Sequence, residues 1–184
     1  MEHPFMSAVA AGLAERGIAT LRYQFPYMER RARRPDPPAL CHATVRAAIA
    51  ECARRVPALA LIAGGRSFGG RTTSQAQAQE PLPGVRGLAF LGFPLHPAGR
   101  PSDTRAEHLA RVRIPLLFVQ GTRDALAERA LLEALLARLG TRASVSWLED
   151  ADHAFHVPAR SGHSDGQVRD ALLDSLCTWL DRLP

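Results

Sequence analysis

The run Leu59-Ala60-Leu61-Ile62-Ala63-Gly64-Gly65-Arg66-Ser67-Phe68-Gly69-Gly70 decides how the rest of the chain is read. Its first five residues are apolar without alternation, as suits a short strand, Leu59–Ala63, buried on both faces. Gly64-Gly65 bounds that strand, and Phe68–Gln79 can be helical despite its early Gly69-Gly70. Between strand and helix, Gly65, Ser67 and Gly69 stand in register as G-x-S-x-G. A turn this sharp holds the serine in a strained backbone conformation, and small residues two before and two after it relieve the close contacts. The hydroxyl then projects above the sheet, with a helix N-terminus beneath it. The Phe68 N–H, at the start of that helix, would be one preorganised oxyanion donor. The bland alternative is a Gly-rich turn that cradles phosphate, but the lysine and the spacing of a P-loop are missing.

Working outward, helices and short apolar strands alternate. Phe5–Arg16 carries apolar residues at helical spacing and stops at Gly17. Ile18–Tyr23 reads as a β-branched and aromatic strand, and Phe25–Pro38 as a loop with four prolines. Helix Ala39–Arg55 ends before Pro57. Val85–Phe93 is a strand, Phe93–Ser102 a loop rich in Pro and Gly, and Thr104–Val112 a short helix. Strand Pro115–Gly121, helix Ala127–Leu139 and strand Ala143–Leu148 follow. After the loop Glu149–Gly162, Ser164–Leu183 closes the chain as an amphipathic helix with Ser164 as N-cap. Such alternation implies an α/β fold: a mostly parallel sheet with helices on both faces, in a single domain over residues 1–184. Chemistry in such a sheet belongs at the carboxyl ends of the strands.

Composition narrows the function classes. The chain has 184 residues, 46% of them hydrophobic and 22% charged, which is ordinary globular usage. No apolar run approaches the ~18 residues of a membrane span, and Glu2 stands where a signal peptide would carry positive charge. Three cysteines, Cys41, Cys52 and Cys177, have no metal-ligand spacing, so a reduced cytoplasmic protein is expected. All 23 basic residues are arginine, against 18 acids, for a net charge of +5. The excess, concentrated at Arg30-Arg31-Ala32-Arg33-Arg34, invites a nucleic-acid reading. No aromatic residues interleave with it to stack on bases, and an alanine-rich, lysine-free chain points to a compositional bias instead. Neither nucleic acid nor membrane is expected as a partner, and self-association stays open.

Two further strand ends carry chemistry. Thr122-Arg123-Asp124-Ala125 follows the strand Pro115–Gly121. Asp124 suits an acid that orients a histidine, or an N-cap for the next helix; with Ser67 upstream the first role is preferred, and Asp103 is the reserve acid. Asp150-Ala151-Asp152-His153-Ala154-Phe155-His156 follows the strand Ala143–Leu148. An imidazole there can reach back over the serine as general base. His153 and His156 compete, and His153 is preferred. A metal site built on this pair with the nearby aspartates has no further ligand cluster behind it. His3, His42, His96, His108 and His163 are scattered and read as surface or loop residues. The order Ser67, Asp124, His153 differs from that of chymotrypsin-like and subtilisin-like proteases.

At this point the chain resembles the α/β-hydrolase superfamily from end to end. Several segments look like its dienelactone-hydrolase-like branch, which also contains the animal testis-expressed hydrolase-like proteins and a subunit of the NSL histone-acetyltransferase complex. The matching stretches are HPFM (3–6), LRYQFPYME (21–29), GGRSFGGR (64–71), FLGFPLHP (90–97), FVQGTRD (118–124) and DADHAFHVP (150–158). The resemblance implies Ser67 as nucleophile, Asp124 as acid and His153 as base. It also implies a strand and a Gly-rich turn before HPFM, the turn supplying a second oxyanion donor. Met1 falls at or just inside that turn, so the chain is expected to lack N-terminal strands, leaving a gap between Ile18–Tyr23 and Leu59–Ala63.

The expected activity is a serine hydrolase of small ester, thioester or related acyl substrates, with no metal or organic cofactor. The short segment after Phe93 argues for an open site without a cap domain, lined by Phe25, Tyr27, Phe93, Leu95 and His96. The alternative is a non-catalytic binding or scaffold protein on the same fold, its arginine loop facing an acidic partner.

Overall fold

Apolar runs too short to be helices become the strands of one sheet in the computed structural model, which describes residues 3–183. Strands β1 (Leu61–Arg66), β2 (Val85–Leu91), β3 (Leu116–Gly121) and β4 (Ala143–Leu148) pair in parallel in the order β1-β2-β3-β4. Helices α1 (Pro4–Glu15), α2 (Pro26–Glu29), α3 (Pro38–Arg55), α4 (Phe68–Gln79), α5 (Arg129–Leu139) and α6 (Asp165–Leu180) surround it. Among the described residues, no helix is long and apolar enough to cross a membrane.

The two-residue period of a strand sorts the core into two layers. Leu88 and Phe90 of β2, in register with Leu116 and Phe118 of β3, point to the layer formed by α3, α4 and α5. Ala89 and Leu91 of β2, with Leu117 and Val119 of β3, point to the other layer, under α1 and α6. Both faces being covered, the two central strands have no room for polar alternation. The closing helix starts on a reciprocal cap: the Gln167 N–H donates to Ser164 Oγ at 3.2 Å, and the Ser164 N–H to Gln167 Oε1 at 2.8 Å. Val168, Leu172 and Leu176 then repeat down its buried face.

Four expectations are corrected. Ile18–Tyr23 forms no strand; it runs between α1 and α2, and Leu21 is 36% exposed. Its β-branched and aromatic residues favour an extended backbone, and the segment is tied down at separate points: Ile18 N–H donates to Leu13 O at 2.9 Å, Arg22 donates to Ser7 Oγ at 2.7 Å, and Tyr23 packs edge-on against Phe25. Leu59 is exposed and the strand begins two residues later, so Gly64, Gly65 and Arg66, read as a boundary, are strand residues. The predicted helix Thr104–Val112 is a 3-10 turn, Thr104–Arg111, and the predicted loop Phe25–Pro38 contains the single turn α2. The Gly-rich turn expected at or before Met1 lies outside the described residues.

Candidate active site

The turn between β1 and α4 holds Ser67 at φ 49°, ψ −118°, a region non-glycine residues seldom occupy. Such backbone costs on the order of 1–3 kcal/mol and persists only where surroundings enforce it. Here Ser67 N–H donates to Leu91 O at the end of β2 (3.0 Å), and the Arg71 N–H returns to Ser67 O (3.1 Å). The glycines divide differently from the motif reading. Gly65 is needed, at φ +152°, and a Cβ at Gly70 would lie 2.5 Å from Gly65 O. A Cβ at Gly69 meets nothing within 4 Å. The close approach of helix to strand therefore falls on Gly70, one residue beyond the pattern.

Ser67 Oγ lies 2.8 Å from His153 Nε2, and His153 Nδ1 lies 2.7 Å from Asp124 Oδ2. The three residues come from the ends of β1, β4 and β3. The Asp124 side chain is fully shielded from solvent, while that of His153 is 22% exposed. Asp124 is held on every side: the Leu126 N–H donates to Oδ1 at 2.8 Å, and Gln120 Nε2 donates to Oδ2. Asp124 thus orients the imidazole and closes a tight turn with Leu126; the other role the sequence offered, N-cap of the next helix, falls instead to Glu128.

His153 sits in a loop fixed by its own backbone. Asp152 Oδ1 accepts the N–H groups of Ala154 (2.7 Å) and His156 (3.0 Å), and Asp152 N–H donates to His156 O (3.0 Å). Phe155, at φ 62°, turns inward and stacks on Phe5 of α1 at 5.2 Å. His156 faces outward to Asp165 at 2.8 Å, which raises its pKa above the ordinary value. Asp103 pairs with Arg138 at the surface, away from Asp124's position. Among the described residues, no three His, Cys, Asp or Glu side chains gather as a metal site needs.

Phe68 is the first residue of α4, so its N–H belongs to the helix-start donors that have no partner within the helix. The expected lining residues separate. Tyr27 is half-buried, with its ring edge-on to Phe68 at 6.1 Å. Phe25 is only 5% exposed and packs edge-on against Phe68 at 5.4 Å. Phe93, Leu95 and His96 are 1% exposed or less and belong to the core. Their burial is imposed by the short β2-to-turn connection folding back over Phe90 and Phe118. His96 was expected in a loop facing substrate; it is a structural residue, with Nδ1 2.9 Å from Pro97 O and its N–H donating to Leu126 O at 3.0 Å.

Two supporting residues escaped the sequence reading. Gln120 spans from Asp124 to the Phe93 N–H, which donates to Gln120 Oε1 at 2.8 Å. A glutamine inside an otherwise apolar strand was the available signal. Arg66, beside the serine, lies over the Phe5 ring at 5.4 Å, 3.1 Å from His3 Nε2, and reaches the His153 carbonyl at 3.5 Å.

Comparison with known proteins agrees with this fold. Residues 1–181 match the family described as "Alpha/beta hydrolase domain". The structure is similar to an alpha-beta serine hydrolase homologue from Coxiella burnetii, at TM-score 0.74 and 20% identity, over 96% of this chain and 77% of that one. It is also similar to a Xanthomonas campestris member of the α/β serine hydrolases without a lid, at TM-score 0.73 and 24% identity, over 100% of this chain and 76% of that one. An esterase domain from Rhodothermus marinus aligns at TM-score 0.70 and 20% identity, over 97% and 80% of the two chains. At these identities the likeness is one of fold.

Proposed function

Because the chain belongs to the alpha/beta hydrolase family, we propose that it is a serine hydrolase of small ester, thioester or related acyl compounds, akin to the dienelactone-hydrolase-like branch. The observation that carries this reading is the unbroken chain from Ser67 Oγ through His153 to Asp124, at 2.8 and 2.7 Å. Its acid is buried and its histidine reaches solvent.

The chemistry follows from those positions. His153 Nε2 takes the Ser67 proton as Oγ adds to the substrate carbonyl carbon. Asp124 keeps the Nδ1 proton in place and stabilises the imidazolium that forms. The Phe68 N–H donates to the oxygen that gains charge, and a donor so placed is worth roughly 10²–10³ in rate. Collapse of the tetrahedral intermediate expels the leaving group, which receives the proton from His153. Water then repeats the sequence on the acyl-serine, freeing the acid and restoring Ser67. With Phe68 next to the serine, Tyr27 against Phe68, and no cap domain among the described residues, the site suits compact acyl groups.

A fluorophosphonate probe, which phosphonylates an activated serine, tests the proposal. Wild-type protein should label and Ser67→Ala should not, with His153→Ala labelling at least ~10²-fold more slowly, in keeping with loss of a general base. Folded wild-type protein that does not label would overturn it.

A further inference from the structure

A cavity of about 510 Å³ runs along α4 from Phe68, the residue after the serine, to Gln79, between the first turns of α3 and the end of the 3-10 turn Thr104–Arg111. Phe68, whose N–H is the oxyanion donor, is one of its walls, and Arg71 is another. Arg71 follows Ser67 by one helical turn, its N–H bonded to the Ser67 carbonyl, which separates the two by about 6 Å along the helix axis.

Two of its wall residues, Arg71 and Arg111, are cationic, and they line the cavity together with His42 and His108. The acid among the lining residues, Asp36, is already engaged: Arg30 pairs with Oδ1, and the Tyr27 N–H donates to Oδ2 at 2.7 Å. Arg71 has no ion pair among the described residues; it lies over the Phe68 ring at 5.7 Å, with its Nε buried and unbonded. His42 Nε2 is likewise buried without a partner, while Nδ1 contacts Gln79 Oε1 at 2.9 Å. Burial, reinforced by the charge of Arg105, lowers the Arg71 pKa from its ordinary value. A half-buried guanidinium next to like charge is unfavourable unless something anionic completes it. Guanidinium groups match carboxylate and phosphate oxygens with paired N–H donors.

We propose that this cavity is the substrate's anion subsite: the preferred substrates are esters or thioesters whose acyl part ends in an oxyanion, carboxylate or phosphate, held by Arg71 and Arg111 while the carbonyl lies at Ser67. The proposal rests on the serine-hydrolase reading. It adds that the acyl group is charged, a property that neither the motif nor the family name carries. Binding energy from this remote group would be available to orient the reacting carbonyl.

The test compares three 4-nitrophenyl esters of similar length: a neutral alkanoate, the half-ester of a short dicarboxylic acid, and the ester of a phosphonoalkanoic acid. Wild-type kcat/KM should favour at least one anionic ester by about tenfold or more over the neutral one, and the better of the two identifies the oxyanion. Arg71→Gln should reduce that anionic-to-neutral ratio at least tenfold, mainly through KM, with Arg71→Lys between the two. Arg111→Gln, on a separate element at the surface, should reduce the ratio in the same direction and serves if Arg71→Gln does not fold. A wild-type enzyme that labels with fluorophosphonate but shows no anionic preference, or ratios unmoved by both substitutions, overturns the subsite and leaves the hydrolase reading standing. A folded wild-type protein that neither labels nor cleaves any ester overturns both.

Discussion

Gln120 holds Asp124 in place from within the sheet. It is fully buried, donates through Nε2 to the carboxylate, and accepts the Phe93 N–H through Oε1 at 2.8 Å. Replacing it with leucine leaves one buried acceptor and one buried donor with a lost partner each, and an orphaned buried polar group costs about 1–3 kcal/mol. Gln120→Leu should therefore lower unfolding free energy by about 2 kcal/mol in urea denaturation at constant m-value. It should also lower kcat more than it raises KM, because the acid that orients His153 is freed to move. Unchanged stability would show that the amide bridge contributes nothing net. The three residues of the proposed triad were legible as types at strand ends, because a serine between glycines, an acid and a histidine each follow an apolar run. Gln120 was not legible, because a single polar residue in a strand does not disclose its partners. His96 was misread for a related reason: a histidine after a Pro-rich turn gives no indication of whether the turn folds over the core.

At the scale of elements, a polar contact joins α4 to the 3-10 turn Thr104–Arg111, His108 Nε2 to Ser74 Oγ at 2.7 Å. Burial, then the charges of Arg71 and Arg111 and a smaller effect of His42, push His108 down to about 4 from 6.5. The folded protein thus keeps this imidazole neutral where the unfolded chain takes up a proton. Between pH 6.5 and pH 4 the unfolded state binds more protons at this site, so the stabilising contribution present above pH 6.5 is lost as pH falls through that window. Discounting for partial exposure, the loss from pH 7 to pH 5 is about 1 kcal/mol. His108→Gln retains a group able to bond Ser74 and has no proton to gain. Urea midpoints for wild type should fall more steeply from pH 7 to pH 5 than those of His108→Gln, and parallel curves would count against this assignment. Two elements stand where the sequence puts them: α4 over Phe68–Gln79 and β4 over Ala143–Leu148. Ile18–Tyr23 was misread, because β-branched residues favour extended backbone whether or not a neighbouring strand exists to pair with it.

For the molecule as a whole, two layers of helix clamp an inner pair of strands, and stability should be distributed accordingly. Strands β2 and β3 each have strand neighbours on both sides and apolar cover on both faces, with Leu88, Phe90, Leu116, Phe118 and Val119 fully buried. Strand β1 has one strand neighbour among the described residues, and its last four positions, Ala63-Gly64-Gly65-Arg66, include two glycines that bury no side chain. Gly64 cannot simply be filled, since a Cβ there would fall 1.9 Å from Ala89 O. The strand that leads into Ser67 is thus pressed close to β2, while its other edge offers alternate backbone groups no partner strand among the described residues. Local opening follows such differences in pairing and burial. Amide hydrogen exchange should show the slowest rates in β2 and β3, near the global unfolding limit. In β1, every second amide should exchange at least about tenfold faster, those facing β2 remaining protected. Uniform protection along β1, equal to that of β2, would mean that its outer edge is covered in solution, and would contradict the sheet as described.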